Sequence, residues 1–276
     1  MSIANAITAG IIYALTEMLA LSGSGHLAVV NKLFDLHLTQ MHLMLKAICE
    51  FAAMTAIILA YRKDLAAMIR DTAMLTGFSR KPASKDDRVP EARLLFRLAM
   101  ATIPLLFMVP FRKMYFSLWT STTFVGAMFL LNGAVLFVAE RMIPGKKGLG
   151  RMQITDALLI GICQAVAIIP GLSRLALTVT CAEAENFQKS YAIRFGMLLA
   201  IPALFGSAVL SLADAAIAGI DTAYLAAYFA GGAAALGTGF FSVYLFRRLV
   251  RRRGYRGLAY YSLVIGVLSI ILTLIF

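Results

Sequence analysis

The chain has 276 residues, of which 61% are hydrophobic and only 14% charged, with a mean hydropathy of +0.82. Soluble globular domains carry about 45–50% apolar and about 25% charged residues, so this composition excludes a water-soluble enzyme, a disordered chain and a disulfide scaffold. The formal net charge of +12 would suit a nucleic-acid partner, but most basic residues lie in short gaps between apolar runs. That placement predicts an integral membrane protein with basic cytoplasmic loops and no nucleic-acid partner.

Six apolar segments are long enough to cross a membrane as single helices. About 20 mostly apolar residues are needed to span a hydrocarbon layer of about 30 Å. The runs that meet this requirement, each with a polar break at its boundary, are 44–61, 95–110, 120–139, 190–212, 222–246 and 257–276.

Two further apolar stretches, 3–30 and 155–183, are interrupted by Ser, Gly or Pro and contain ionisable residues. Irregular backbone at membrane depth is tolerated only where protein buries it or where it lines a polar cavity. Each stretch is therefore predicted to be a re-entrant helical hairpin, with its loop near mid-membrane. In the first loop, Gly23 and Gly25 are expected to permit positive φ and to let backbone N–H groups point at an anion.

The charge of the connections predicts the orientation. Basic connections at 62–94, 140–153 and 247–256 alternate with connections at 111–119 and 213–221 that contain few basic residues. Basic loops face the cytoplasm, which makes the alternation consistent along the whole chain. Since each hairpin precedes three spans, the two halves are predicted to have opposite orientations.

The fold class that follows is an all-α polytopic membrane protein with six transmembrane helices and two re-entrant hairpins in an inverted-topology repeat. The single integral membrane domain, 1–276, divides into a first repeat at 1–139 and a second, inverted repeat at 140–276. This is the layout of transporters whose broken segments meet near the midplane.

Ionisable residues inside apolar segments are candidates for function, because insertion scales put their cost at about 2.5–3.5 kcal/mol each. The candidates here are Glu17, His26, Glu50, Arg174 and Arg194. Glu50 can pair with Lys46 one turn earlier, and Arg194 can extend its head group to the membrane surface, so structural roles are available to both.

The other three ionisable residues lie in or beside the two broken segments. If the hairpins meet, Glu17, His26 and Arg174 would share one cavity with several hydroxyl groups. Arginine offers a planar fork of donors to phosphate, histidine or serine can attack, and a carboxylate can orient groups or transfer a proton. The set therefore predicts phosphoryl-group chemistry.

The two broken segments resemble the signatures of the undecaprenyl-diphosphate phosphatase family, the bacitracin-resistance type of bacterial membrane protein. The first signature is E/Q-x-x-x-E followed by P-x-S-S-x-G-H, and the second is P-G-x-S-R-S-x-x-T. Matching positions in this chain are Glu17, Ser22, Ser24, Gly25 and His26 in the first signature, and Pro170, Gly171, Ser173, Arg174 and Thr178 in the second. Similarity also includes Gln164, before the second signature, and covers nearly the whole chain.

The resemblance implies that the protein hydrolyses undecaprenyl (polyprenyl) diphosphate to the monophosphate and phosphate at the outer face of the bacterial inner membrane. That reaction recycles the lipid carrier for peptidoglycan synthesis. The implied catalytic residues are Glu17, His26 and Arg174, and the implied substrate-binding residues are Ser22, Ser24, Gly25, Gln164, Ser173 and Thr178.

The resemblance also implies cofactors and partners. Divalent cations, Mg²⁺ or Ca²⁺, commonly support the family's reaction, and Glu17 is the candidate metal ligand. The expected partners are a polyprenyl diphosphate or monophosphate and the membrane lipids, and the sequence allows a homodimer.

Four signature positions differ from the family pattern. Tyr13 stands in place of the first acidic residue, Ala20 of the proline, Gly23 of the second serine, and Leu175 of the serine after the arginine. Two interpretations stay open. In one the protein is a phosphatase in which His26 attacks or transfers protons and Ser22 or Ser24 replaces the missing hydroxyl. In the other it is a catalytically weakened paralogue that binds or translocates a polyprenyl phosphate.

Overall fold

A computed structural model describes residues 1–34, 43–75, 90–143 and 145–275, and the regular structure within them is helical, without β-strands. The described α-helices are α1 (Ile3–Met18), α2 (Gly23–Phe34), α3 (Leu43–Ala60), α4 (Arg62–Leu75), α5 (Pro90–Leu106), α6 (Arg112–Leu118), α7 (Thr122–Arg141), α8 (Ile154–Val166), α9 (Arg174–Ala184), α10 (Lys189–Ala218), α11 (Leu225–Arg253) and α12 (Arg256–Ile275).

Among the described residues, six helical segments are long and apolar enough to cross a membrane. They are Leu43–Ala60, Ala92–Phe111, Thr122–Arg141, Lys189–Ala218, Thr222–Arg253 and Arg256–Ile275. Each corresponds to one of the predicted spans, so the six-span prediction is confirmed. The chain is a multi-pass membrane protein.

The basic connections are more helical than predicted. The interpretation of 247–256 as a connection is wrong for most of its length, because α11 continues to Arg253. Arginine is a good helix former, and a cation in the last turn interacts favourably with the helix dipole. The 62–94 connection begins with α4, whose Asp64 pairs with Arg194 on α10 at 2.6 Å. Residues 76–89 of that connection lie outside the described residues.

Both broken stretches form the predicted pairs of helices. The first pair, α1 and α2, is separated at residues 19–22, and the second, α8 and α9, at residues 167–173. The first helix of each pair packs on a span from the other half of the sequence, α1 on α11 and α8 on α5. It stays a prediction that these helix pairs re-enter the membrane. It also stays a prediction that the halves 1–139 and 140–276 have opposite orientations.

Candidate active site

The loops that interrupt the two helix pairs contact each other directly. The Gly171 N–H donates to Ser22 Oγ at 3.2 Å, although 149 positions separate the two residues in the sequence. A Cβ atom on Gly25 would lie 2.8 Å from Gly171 N, closer than real Cβ contacts. Glycine at position 25 is therefore required by this close approach of the two loops.

The positive φ angles predicted for the glycines of the first loop occur at other residues. Ala20 has a φ of 62° and Ser22 a φ of 68°, whereas Gly23 and Gly25 belong to the first turn of α2. The prediction was wrong because the helix begins earlier than expected and takes in both glycines. Non-glycine residues in sparsely populated backbone regions cost about 1–3 kcal/mol each and persist only where surrounding contacts hold them.

Asn132 on α7 supplies contacts that hold both loops. Its side chain is fully buried, its Nδ2 donates to Ala20 O at 3.2 Å, and its Oδ1 accepts from the Ser173 N–H at 2.9 Å. Nδ2 also donates to Ser262 Oγ on α12 at 3.1 Å. Sequence reasoning missed Asn132 because it belongs to no signature. The available signal was a side-chain amide inside an apolar span, where polar groups require partners.

Glu17 and Arg174, predicted to meet, form an ion pair. The distance from Arg174 Nη2 to Glu17 Oε1 is 3.3 Å, and the Gly23 N–H donates to Glu17 Oε2 at 3.0 Å. The carboxylate thus lies at the N-terminus of α2, where the helix dipole favours a negative charge. Glu17 fixes the guanidinium while leaving other N–H groups of the fork for a ligand.

A cavity of about 420 Å³ lies beside this ion pair. Its polar wall contains Glu17, Arg174, Ser24 and Gln164. Its apolar lining includes Leu105, Leu106, Ile168, Leu210 and Ile217. A largely apolar cavity with a few convergent polar groups is the usual form of a small-molecule site. This one matches a ligand with a phosphate head and a hydrocarbon tail.

The side-chain amide of Gln164 has no hydrogen-bond partner on either polar atom. The residue is only 1% exposed, and it lines the cavity. A buried polar group without a partner costs about 1–3 kcal/mol. A phosphate group could accept from Nε2, so the unpaired amide points to a ligand at this position.

The remaining predicted binding residues stabilise the loops from behind the cavity wall. Ser22 Oγ accepts from the Gly25 and Gly171 N–H groups. The Ser173 side chain caps α9, and Thr178 Oγ1 donates to Arg174 O at 2.9 Å. These contacts fix the backbone around Arg174 without exposing the three hydroxyls to the cavity.

The ring of His26 is also outside the cavity lining. Its Nδ1 lies 2.9 Å from Ser22 O, and because a carbonyl only accepts, Nδ1 carries the hydrogen. Nε2 then accepts from Tyr261 Oη at 3.1 Å. The ring packs edge-on against Phe129, with centroids 4.8 Å apart. Both nitrogens of the predicted catalytic histidine are therefore engaged within the protein.

A second polar cluster lines the same cavity. Glu50 pairs with Lys46 at 3.5 Å, as predicted, and also accepts from Ser207 Oγ at 2.6 Å and Ser211 Oγ at 3.1 Å. Each charge inside a span costs about 2.5–3.5 kcal/mol on insertion scales, while an i,i+4 ion pair returns only about 0.2–0.5 kcal/mol. Helix stabilisation alone does not account for this pair.

The expected divalent cation can be compared with the side chains available to hold it. No group of three or more His, Cys, Asp or Glu side chains suited to a metal occurs in the described part of the chain. Mg²⁺ is often held by only one or two carboxylates together with substrate phosphates. Glu17, on the cavity wall, fits the part of a single protein ligand.

Comparison with known proteins decides the family. The model of the family described as bacitracin resistance protein BacA matches residues 6–268. The chain belongs to the BacA family.

Curated relatives match over almost their whole length. A protein named undecaprenyl-diphosphatase from Carboxydothermus hydrogenoformans is 29% identical, over 97% of this chain and 96% of its own. One of the same name from Geobacter sulfurreducens is 30% identical over 96% of both chains. A third, from Methanosphaera stadtmanae, is 29% identical over 100% of this chain and 99% of its own. These matches confirm the family resemblance.

The positions that depart from the BacA signatures are filled by packed side chains. A Cβ atom on Gly23 would lie 2.7 Å from Tyr13 O and 3.0 Å from Tyr13 Cδ2, so no space remains for a serine there. Tyr13 itself is 1% exposed, and Leu175 is buried in the core facing Gly196. Because the closest obstacle at position 23 is a backbone oxygen, exchanging the Tyr13 side chain would not make room.

Replacing Gln164 by methionine should stabilise the ligand-free protein while weakening ligand binding. Methionine has a similar volume and removes the unpaired amide, so we expect a higher Tm without ligand. Affinity for undecaprenyl phosphate should fall about tenfold, as one hydrogen bond to a charged group is lost. Thermal unfolding with and without the lipid measures both effects.

Gln188→Met is the matched control: this glutamine is exposed and its Nε2 makes a long contact, 3.4 Å, with Lys146 O, so the change should leave lipid affinity unaltered and Tm nearly so. A lower Tm for ligand-free Gln164→Met, with unaltered lipid affinity, would show that the Gln164 amide serves the fold.

Proposed function

We propose that this protein hydrolyses undecaprenyl diphosphate to undecaprenyl phosphate and inorganic phosphate. The observation that carries the proposal is its membership of the BacA family, with full-length relatives named undecaprenyl-diphosphatase. The cavity supports it, because an ion-paired arginine and an unpaired amide line a space that also has an extensive apolar lining. The alternative of a weakened carrier is not favoured.

The reaction serves envelope synthesis. Hydrolysis returns the lipid carrier to its monophosphate form, which peptidoglycan synthesis uses again, and it accounts for the bacitracin resistance in the family's description. We place the protein in the bacterial cytoplasmic membrane, where this lipid resides. A homodimer stays a prediction.

The position of the cavity supports an active site on the outer face. It extends along α10 as far as Ala218, near the residue at which α11 begins. Helix α11 is 29 residues long, so its other end, at Arg253, lies about 40 Å from its start. Since basic ends face the cytoplasm, the end with Ala218 belongs on the outer side.

Arg174 and Gln164 are the groups that bind the reacting phosphate. Arg174 stabilises negative charge on the phosphoryl oxygens as the bridging P–O bond breaks, and Glu17 holds its guanidinium in place. The Gln164 amide donates a further hydrogen bond. The apolar lining receives the isoprenoid chain.

Ser24 is the best-supported nucleophile of the three predicted ones, because it alone among Ser22, Ser24 and His26 lines the cavity. A bond forms between Ser24 Oγ and the terminal phosphorus, and the electron pair of the broken P–O bond leaves with undecaprenyl phosphate. Glu17 accepts the hydroxyl proton. Water then attacks the phosphorus as its bond to Ser24 Oγ breaks; Oγ takes back the proton from Glu17, and phosphate leaves with the hydrogens of the water.

A divalent cation would fit beside this site. Glu17 is the protein residue that would hold it, together with the phosphate groups of the substrate. Such an ion, when bound, neutralises charge on the diphosphate.

Purified protein in detergent, supplied with undecaprenyl diphosphate, should release inorganic phosphate. Ser24→Ala should abolish this release, whereas Ser117→Ala, which alters an exposed serine on α6, should leave it unchanged. Wild-type protein that releases no phosphate, yet gains thermal stability from undecaprenyl phosphate, would overturn hydrolysis in favour of the carrier. Full activity in Ser24→Ala would remove only the role given to that serine.

A further inference from the structure

The hydrolysis described above assigns no role to the second polar cluster of the cavity. That cluster consists of Lys46 and Glu50 on α3 with Ser207 and Ser211 on α10, and all four line the cavity that holds the Glu17–Arg174 pair. The cavity wall thus contains three cations, Arg174, Lys46 and Arg112, and each pairs with one carboxylate of the wall, Glu17, Glu50 and Asp214 respectively. A diphosphate that is hydrolysed yields two phosphate groups, and Arg174 accounts for the binding of only one of them.

Two serines hold the Glu50 carboxylate through shorter contacts than the lysine makes with it. One oxygen accepts from Ser207 Oγ at 2.6 Å and the other from Ser211 Oγ at 3.1 Å. Lys46 Nζ lies 3.5 Å from Glu50 Oε1, which is beyond the usual hydrogen-bond range. The position of the carboxylate therefore depends on the two serines.

The ammonium of Lys46 has N–H groups available to bind a ligand. Its short contact is the hydrogen bond to Ser211 Oγ at 3.0 Å, and an ammonium carries three N–H groups. The Lys46 side chain is 23% exposed against 3% for Glu50, so the ammonium reaches the open space while the carboxylate stays behind it. Without Lys46, Glu50 would present an unbalanced negative charge to an anionic substrate.

We propose that the Lys46 ammonium binds a phosphate group in this cavity and that Glu50, with Ser207 and Ser211, positions it. The identity of the lipid rests on the proposed function, but phosphate binding by Lys46 does not require turnover. The group bound is a phosphate of the lipid substrate or the inorganic phosphate that hydrolysis releases. The two candidate ligands present the same phosphate chemistry, and the choice of probe in the binding experiment distinguishes them.

The test compares Lys46→Gln with Lys46→Arg in the full chain. Lys46→Gln should weaken binding of a phosphate probe about tenfold, the usual effect of losing a charge-assisted hydrogen bond, and Lys46→Arg should stay within about threefold of wild type. Lys63→Gln, at an exposed lysine on α4, carries the same charge change and should have no effect. The probes are inorganic phosphate and undecaprenyl phosphate, each measured by thermal stabilisation.

The two probes identify the source of the phosphate. If inorganic phosphate stabilises Lys46→Gln less than wild type while the lipid stabilises both equally, and the inhibition constant for phosphate rises, Lys46 binds the released product. Weaker stabilisation by the lipid, with a raised KM for the diphosphate, assigns it to the substrate. Either result supports the proposal.

Two results would overturn it. One is unchanged affinity of Lys46→Gln for both probes, and the other is an equal loss in Lys46→Arg and Lys46→Gln, which would indicate packing rather than charge. If Lys46→Gln does not fold, Lys46→Gln/Glu50→Gln removes the charge imbalance and takes its place. Because binding is read without turnover, wild-type protein that binds phosphate through Lys46 but does not hydrolyse the lipid would reject only the proposed function.

Discussion

Replacing Arg174 by alanine is expected to slow phosphate release from undecaprenyl diphosphate about 10²–10³-fold. That is the usual effect of removing one preorganised donor to the charge that develops in a transition state. Arg174 is the cation of the polar wall that contacts Glu17, and the carboxylate and the capped start of α9 hold it in place. Steady-state phosphate release by purified variants measures the loss.

Two further variants separate chemistry from folding. Arg174→Lys keeps the charge but loses the planar fork, so its activity should lie between those of wild type and Arg174→Ala. In Arg174→Ala the partly buried Glu17 carboxylate loses its cation, which lowers Tm; adding Glu17→Gln should restore Tm without restoring activity. Activity of Arg174→Ala within about threefold of wild type would contradict the role given to this guanidinium.

The second large effect is expected from adding one methyl group at the contact between the loops. In Gly25→Ala the new Cβ would lie 2.8 Å from Gly171 N, 2.9 Å from Gly171 Cα and 2.8 Å from Phe129 Cζ. Two of these obstacles are backbone atoms, so the loops have to separate. Overpacking of this kind costs about 1–3 kcal/mol, and separation also moves Arg174 away from Glu17. Tm and phosphate release should therefore fall together.

Gly237→Ala on α11 is the matched control for Gly25→Ala. A Cβ at that glycine would meet nothing within 4 Å, so the variant should keep wild-type Tm and activity. If Gly25→Ala retained both, the loops would not need the close approach seen between residues 25 and 171.

The spans, and the presence of Glu17 and Arg174 in one cavity, could be predicted from the sequence because each depends on a strong local signal. Hydropathy marks an apolar span directly, and a break such as Pro170-Gly171 marks where a helix stops. Two charges that must be buried, Glu17 and Arg174, have few ways to avoid the cost except by meeting. The end of α11 could not be predicted in this way, because charge identifies the cytoplasmic side but does not distinguish a loop from a continuing helix.

The sequence could not predict which side chains of the site point into the cavity. His26 and Ser22 belong to the same signature as Ser24, yet their polar atoms bond within the loops while Ser24 lines the cavity. A shift of one or two positions near the start of a helix turns a side chain from one face to another. The left-handed φ of Ser22 likewise depends on tertiary contacts with residues more than a hundred positions away.

The contact between the loops also orders the assembly of the protein during synthesis. Ala20 and Ser22 take up strained backbone early in the chain, but the groups that hold them are Asn132 and Gly171. An emerging chain that ends before Gly171 lacks the N–H group that the second loop donates to the Ser22 hydroxyl, and α1 still lacks α11, the helix on which it packs. The N-terminal half therefore cannot complete its packing until the C-terminal half has been translated. Expressed as separate polypeptides, neither half would contain an active site, and activity would appear only when the two associate.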